Sequence, residues 1–270
     1  MKEKKTIYYT DSLNDDFAGN NIKTKVVDKD FKYVHGKIWH AISLMLYYVV
    51  ALPIVWFYMR VILRAKFVNK KAVKKLGKTK YFLYGNHTGI IDAFTPNVIS
   101  MPRKNKIIVG PDAVSIKGLK NLTQMLGAFP IPSGLGGMKN FMNALTYYQK
   151  SYNFTIYPEA HIWPYYTGVR PFLATSFSYP VKFNAPAVAF FTAYSKPKGF
   201  LSFLRKANVT VYVSDPFYPN PNLSLQDAKK ELRDKVYNFM VGKSAFSDYN
   251  VINYVKKEED THKSAYKAPL

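Results

Sequence analysis

Lys80-Tyr81-Phe82-Leu83-Tyr84-Gly85-Asn86-His87-Thr88-Gly89-Ile90-Ile91-Asp92 decides the architecture of this 270-residue chain. Residues 80–84 are a nearly continuous apolar run, the pattern of a strand covered on both faces. The run ends in polar residues bracketed by Gly85 and Gly89, as at the carboxyl end of a strand, where open α/β sheets present their ligands. Four further short runs, 106–109, 153–157, 185–191 and 209–213, read as strands of the same kind. Residues 110–126 and 137–149 carry helix-like apolar spacing between them. The fold class is α/β: one domain over 81–245 with a mostly parallel central sheet flanked by helices. A last helix spans 225–241, with Ser224 as N-cap, Asp227 three residues on, and Ala228, Leu232, Val236, Phe239 and Met240 on one apolar stripe.

Upstream, residues 1–36 read as a polar tail or cap in which Asp15, Asp16, Gly19, Asn20 and Asn21 break any period. Residues 246–270 read as a charged C-terminal tail, frayed from Lys256. Between Lys37 and Arg60 lie twenty-two residues without a formal charge; as a helix they reach roughly 33 Å, against a hydrocarbon core of ~30 Å. His40 and Ser43 are polar, Pro53 predicts a kink or break, and Trp39, Tyr47, Tyr48, Trp56, Phe57 and Tyr58 favour an interface. A full span, a kinked or hairpin segment embedded in one leaflet, and a buried soluble helix all fit this stretch. From Lys66 to Lys80 there are seven lysines in fifteen residues and no acid. Each such lysine gains about 1 kcal/mol near an anionic leaflet, so 37–80 reads as a membrane-associated helical segment with its polybasic stretch on the cytoplasmic face of the cell membrane.

Composition agrees. Lys and Arg number 39 against 17 Asp and Glu, a formal net charge of +22 with pI near 9.8, which asks for a polyanionic partner. Because the densest lysine cluster follows the apolar stretch, the expected polyanion is an anionic phospholipid membrane and not nucleic acid. Cysteine is absent, which excludes disulfides, thiolate metal sites and an acyl-cysteine intermediate. Five scattered histidines offer no metal constellation. No Gly-x-Ser-x-Gly elbow occurs. Ser133-Gly134-Leu135-Gly136-Gly137 lacks the ending of a phosphate-binding P-loop and reads as the opening of a helix.

Two strings carry candidate chemistry. In Asn86-His87-Thr88-Gly89-Ile90-Ile91-Asp92 the carboxylate follows the imidazole by five residues. The two meet only if His87 sits in a turn and Asp92 in the first turn of the helix after it. Gly85 and Gly89 give that turn its freedom. A carboxylate so placed fixes the imidazole tautomer and raises its basicity toward a hydroxyl. In Phe154-Thr155-Ile156-Tyr157-Pro158-Glu159-Ala160-His161 a second strand ends in an acid, and a buried acid there needs a positive or hydrogen-bonding partner.

Together these strings resemble the glycerolipid acyltransferase family, typified by the lysophosphatidic acid (1-acyl-sn-glycerol-3-phosphate) acyltransferases. The first family block, Asn-His-x4-Asp, is matched by Asn86, His87 and Asp92. The third, an aromatic followed by Pro-Glu-Gly-Thr-Arg, is matched by Tyr157, Pro158 and Glu159. The second, Gly-x-x-Phe-Ile-x-Arg, aligns with Gly127 to Ser133 and keeps Gly127 and Phe129. The fourth, an apolar strand entered through proline, looks like Ala185-Pro186-Ala187-Val188-Ala189. The resemblance covers roughly residues 80–215.

It implies that His87 is the general base on a lipid hydroxyl, that Asp92 orients it, and that the hydroxyl attacks an acyl thioester directly. The implied donor is acyl-CoA or acyl-carrier protein, no cofactor or metal is required, and the implied acceptor is a lysophospholipid, foremost 1-acyl-glycerol-3-phosphate. The family's two phosphate-binding arginines are replaced here by Ser133 and Ile162, so another cation must stand in or the acceptor differs. Lys139, Arg170, Arg103 and Lys104 are the stand-ins, Arg170 first because its planar fork fits phosphate. Asn86, Ser133, Lys139, Pro158, Glu159 and Arg170 are the substrate-binding candidates, with His161 a further possible contact. The alternatives are an acyltransferase using a non-phosphate acceptor such as a glycolipid, and a catalytically silent protein of anionic membranes.

Overall fold

The computed structural model describes residues 5–19, 24–200 and 202–257. Seven strands form one sheet in the order β2-β8-β7-β3-β6-β4-β5: β2 (Lys66–Val68), β3 (Phe82–Gly85), β4 (Asn105–Val109), β5 (Ala128–Pro130), β6 (Asn153–Ile156), β7 (Ala187–Ser195) and β8 (Asn208–Val213). All neighbours pair in parallel except β7 and β8. The continuous apolar runs divide between the sheet's two faces because side chains alternate along a strand. Phe82, Tyr84, Phe154 and Ile156 join one buried cluster, while Tyr81, Leu83, Val188 and Phe190 join the other. β3, β4, β6, β7 and β8 fall on the apolar runs, whereas β2 and β5, each of three residues, are too short to show a period.

The helix expected over 110–126 is two pieces, a turn at Pro111–Val114 and a helix at Lys120–Leu126. They are separated at Gly118, which takes φ +80°. Met138–Gln149 is helical as read, opened by the glycine-rich stretch. The final helix runs from Leu225 to Ser244; Ser224 Oγ accepts the Asp227 N–H at 3.2 Å. Ala228, Leu232, Val236 and Met240 are buried on it, and Phe239 is partly buried.

Two expectations are corrected. Within 1–36, read as a tail or cap, the described residues are packed and not loose: β1 (Lys5–Tyr9) pairs in parallel with β9 (Ile252–Lys256), so both supposed tails contribute strands. Val27, Phe31 and Tyr33 are buried in the main core, and the Tyr33 hydroxyl donates to the Pro130 carbonyl at 2.8 Å. Apolar residues spaced through a charged stretch average out as polar, which hid them. Residues 258–270 of the expected frayed tail lie outside the described residues.

The apolar segment is a helix from Lys37 to Ile62 that stays helical through Pro53. A widened π-type stretch, Leu46–Ala51, immediately precedes that proline and relieves its missing N–H. Ser43, Tyr47, Val55 and Met59 are buried along one line of the helix, whereas Ile38, Met45, Val49, Ile54 and Phe57 are exposed. A helix laid along the domain over its length, greasy on its outer face, is not a buried soluble helix. Lys104 holds it: Nζ donates to Ser43 Oγ at 2.8 Å and to the Met125 carbonyl at 2.5 Å. The polybasic stretch is folded into the domain as β2 and the helix Lys71–Lys75, with Ala72 and Val73 buried beneath its lysines.

Lys106 is a lysine buried in the fold, 5% exposed. Burial, reinforced by Lys104, pushes its ammonium down from 10.5 to about 7. Its Nζ lies 3.9 Å from the Tyr148 ring centroid, an attraction of ~2 kcal/mol against a desolvation cost of several. A lysine whose pKa is lower in the folded than in the unfolded chain binds more protons when unfolded, so stability rises with pH between about 7 and 10.5 and is lowest below that window. Thermal melts should therefore show the unfolding midpoint climbing from pH 7 to pH 9. Lys106→Met should flatten that climb and gain ~1 kcal/mol or more at pH 7.

Candidate active site

β3 and β6 lie side by side in parallel register, Tyr84 opposite Ile156, so the residues that follow each strand emerge together at one sheet edge. This brings Asn86-His87 next to Tyr157-Pro158-Glu159. The two strings, seventy residues apart in sequence, become one site.

After Gly85 the chain turns sharply. Gly89 adopts φ +138°, a conformation an L side chain rarely takes, and Ile90–Ala93 form a single 3-10 turn. Asp92, 2% exposed, sits on that turn with its carboxylate pointing back at the loop. Oδ2 accepts His87 Nδ1 at 2.7 Å and the backbone N–H groups of Thr88 at 2.6 Å and Gly89 at 2.9 Å. An ionised carboxylate can only accept, so Nδ1 carries the proton and the Nε2 lone pair is left for other work. The ring stacks on Tyr157, centroids 4.5 Å apart and planes 16° apart. The Tyr157 hydroxyl donates to the Asp92 carbonyl at 2.5 Å. Burial, then the nearby Asp92 charge, pushes that phenol well above its ordinary value, so it stays a neutral donor.

Glu159 is buried beneath the site. Its carboxylate accepts the backbone N–H of His87 at 3.3 Å and of Arg170 at 3.2 Å. It also meets the Arg170 guanidinium at 3.3 Å. Burial pushes the Glu159 carboxyl up, and Arg170 with the two amides pulls it back. Arg170, 1% exposed, further donates to the His161 carbonyl and lies 5.1 Å from the Trp163 ring. Expected as a free phosphate ligand, it is instead the counter-ion of Glu159, because a buried acid at this turn requires one.

Three other substrate-binding candidates are placed as follows. Asn86 is fully buried, its side chain clamping the Thr192 backbone on β7 through bonds of 2.8 and 3.2 Å. Ser133 accepts the Val27 N–H at 2.9 Å and pins the N-terminal segment. Lys139 is exposed on the helix Met138–Gln149 and is not among the described residues that line the cleft. Of the other stand-ins, Arg103 donates to the Thr79 carbonyl and Lys104 is spent on the apolar helix.

His87 opens onto a cleft of 1480 Å³. Its walls come from the apolar helix (Tyr47, Val55, Tyr58), the loops after β3 and β6, and the segment after Arg170. Pro158 and His161 line it, as do Leu13, Asn14 and Asp16 from the N-terminal segment, residues the sequence reading passed over as tail. His161 Nδ1 lies 3.6 Å from Asp16 Oδ2. Lys206 is the sole lysine or arginine among the described lining residues. Among the described residues no group of three or more His, Asp or Glu is placed to hold a metal ion. A basic imidazole nitrogen at the wall of a long apolar cleft can take a proton from a hydroxyl brought there by a hydrocarbon chain.

One solved structure is similar to this chain. It is the crystal structure of the 1-acyl-sn-glycerophosphate (LPA) acyltransferase, PlsC, from Thermotoga maritima, at 14% sequence identity and a TM-score of 0.48. The match covers 77% of this chain and 98% of that one. No family model matches the chain, and no curated protein does.

Truncating Arg170 leaves a buried carboxylate without its cation, which typically costs ~3–5 kcal/mol. Arg170→Ala should therefore lower the unfolding free energy extrapolated from a denaturant titration by that order, where an arginine serving only a substrate would leave it unmoved. Arg170→Met together with Glu159→Gln, which removes both charges, should recover part of the loss.

Proposed function

We propose that this chain is a membrane-associated acyltransferase that moves a fatty acyl group from an acyl thioester to the hydroxyl of a lysophospholipid, with 1-acyl-glycerol-3-phosphate as the leading acceptor. The observation that carries the reading is the His87–Asp92 pair at 2.7 Å, its Nε2 facing a 1480 Å³ cleft walled by an apolar helix. His87 Nε2 takes the acceptor's hydroxyl proton as the oxygen attacks the thioester carbonyl carbon. The C–S bond breaks, and the departing thiolate recovers the proton from the imidazolium. Asp92 stabilises that imidazolium and, through Nδ1, keeps the ring oriented; proton transfer of this kind is worth ~10²–10⁴-fold in rate.

No covalent acyl-enzyme is formed, in keeping with a chain that has no cysteine. Acyl-CoA and acyl-carrier protein both present the required thioester, and neither metal nor cofactor takes part. The exposed apolar face of the helix Lys37–Ile62 rests in the cytoplasmic leaflet of the cell membrane, where Trp56 and Phe57 meet the interface. Lysines from Lys66 onward then face anionic headgroups.

Lys206 is the cation we assign to the acceptor's phosphate, since none of the other candidates is among the described residues that line the cleft. That scarcity of cations favours one second reading, an uncharged acceptor such as a glycolipid. Steady-state kinetics should separate the two. With 1-acyl-glycerol-3-phosphate, Lys206→Ala should raise KM about tenfold or more with little change in kcat, as expected for loss of a charge-assisted contact. A KM unmoved by Lys206→Ala, with faster turnover of a glycolipid, selects the second reading. In the same assay His87→Ala and Asp92→Asn should each lower kcat ~10²-fold or more. Full transfer by His87→Ala overturns His87 as the base, and absent transfer to every acceptor by the unaltered chain overturns the enzyme assignment altogether.

A further inference from the structure

The loop between β7 and β8 carries three large apolar side chains into solvent: Phe200 at 83%, Phe203 at 80% and Leu204 at 48% exposure. Two phenylalanines this bare within four positions are not ordinary loop composition, because each leaves a ring in water that burial would favour by ~1.5–3 kcal/mol. The residues around them are basic. Lys196, Lys198 and Lys206 are exposed on the loop and its flanks. Arg64 lies beside Gly199, where an added Cβ would come within 2.8 Å of its Nη1. Lys66 pairs with Thr210 at the start of β8.

Acidic residues are missing from this whole side of the sequence. There is no Asp or Glu between Asp30 and Asp92, the stretch that holds the apolar helix, nor between Glu159 and Asp215, the stretch that holds this loop. The fold joins the two. The Arg205 guanidinium donates to the Ile62 carbonyl at 3.3 Å, tying the loop to the last residue of the apolar helix. Since β7 is parallel to β3, the loop leaves the sheet at the same edge as His87. Lys206, at its end, lines the cleft.

We propose that Phe200, Phe203 and Leu204 form a second insertion point into an anionic lipid bilayer, set beside the mouth of the cleft at the end of the apolar helix. The rings and the leucine enter the acyl region while the flanking cations meet phosphate headgroups, the division of labour that an interfacial element requires. Paired with the helix, the loop fixes the cleft against the leaflet from which a lipid acceptor leaves. The proposal rests on the reading of the helix as membrane-bound, and the test separates the two.

The natural absence of cysteine makes the test clean. Phe200→Cys, Ile54→Cys on the helix, and Tyr218→Cys would each be labelled with an environment-sensitive fluorophore in the full chain. Tyr218 follows Phe217, which pairs with Ala187 at the far end of β7, so it is the control. With vesicles of phosphatidylglycerol and phosphatidylcholine, labels at 200 and 54 should shift to the blue and the label at 218 should not. The shift at 200 should weaken in pure phosphatidylcholine.

The triple variant Phe200→Ser, Phe203→Ser, Leu204→Ser should bind the mixed vesicles about tenfold more weakly, with an unchanged circular dichroism spectrum. A response at 54 with none at 200 overturns the second insertion point and leaves the helix reading standing. Silence at both positions overturns both. A response at 200 to acyl-carrier protein, but not to vesicles, overturns the proposal in favour of a protein-docking loop.

Discussion

A carboxylate taken out of water must be given donors, and the loop after β3 is shaped by how Asp92 obtains them. Two backbone amides and one imidazole nitrogen converge on a single oxygen within 2.9 Å. Collecting amides at 88 and 89 and a side chain at 87 around residue 92 requires the chain to fold back within one short turn, which only a residue at ease with positive φ permits. Gly89 meets that need. The consequence is chemical: with Nδ1 committed to Asp92 and the ring pressed against Tyr157, the imidazole keeps one tautomer and one orientation, and Nε2 faces the cleft.

A second buried acid organises the layer below. Glu159 binds the His87 amide, the Arg170 amide and the Arg170 guanidinium. It thus ties three segments, the β3 loop, the β6 loop and the stretch at 170, into one piece. Asp92 and Glu159 divide the work: the first acts on the imidazole ring, the second on the backbone that carries it. The same pairing explains why a cation that looked available in sequence is not available in space.

The apolar helix is part of the site as well as a surface feature. It packs on the second core through Val55 and Met59, and Tyr47, Val55 and Tyr58 form a wall of the cleft that His87 faces. A hydrocarbon chain lying in that cleft therefore touches the same element whose outer face is exposed and greasy. Polar anchorage from Lys104, held to Ser43 and Met125, keeps the helix against the domain in spite of that outer face.

The parts of this architecture that are local in sequence were readable from it. Continuous apolar runs betray strands buried on both faces; Ser224 with Asp227 betrays a helix start; five residues between an imidazole and an acid, with glycines on either side, betray a turn that can bring them together. β1, β9 and the buried Val27, Phe31 and Tyr33 were not readable, because their partners lie far away in sequence, Pro130 for Tyr33 and β9 for β1, and their own stretch averages to polar. Whether Arg170, Lys139 or Ser133 faces a substrate was likewise undetermined, since a side chain's charge says what it can bind but not which neighbour reaches it first. Periodicity and the spacing of His87 and Asp92 are properties of a few consecutive residues, so sequence alone settles them. Which cations remain free, and which surface covers the cleft, depend on long-range register, and only the folded chain decides that.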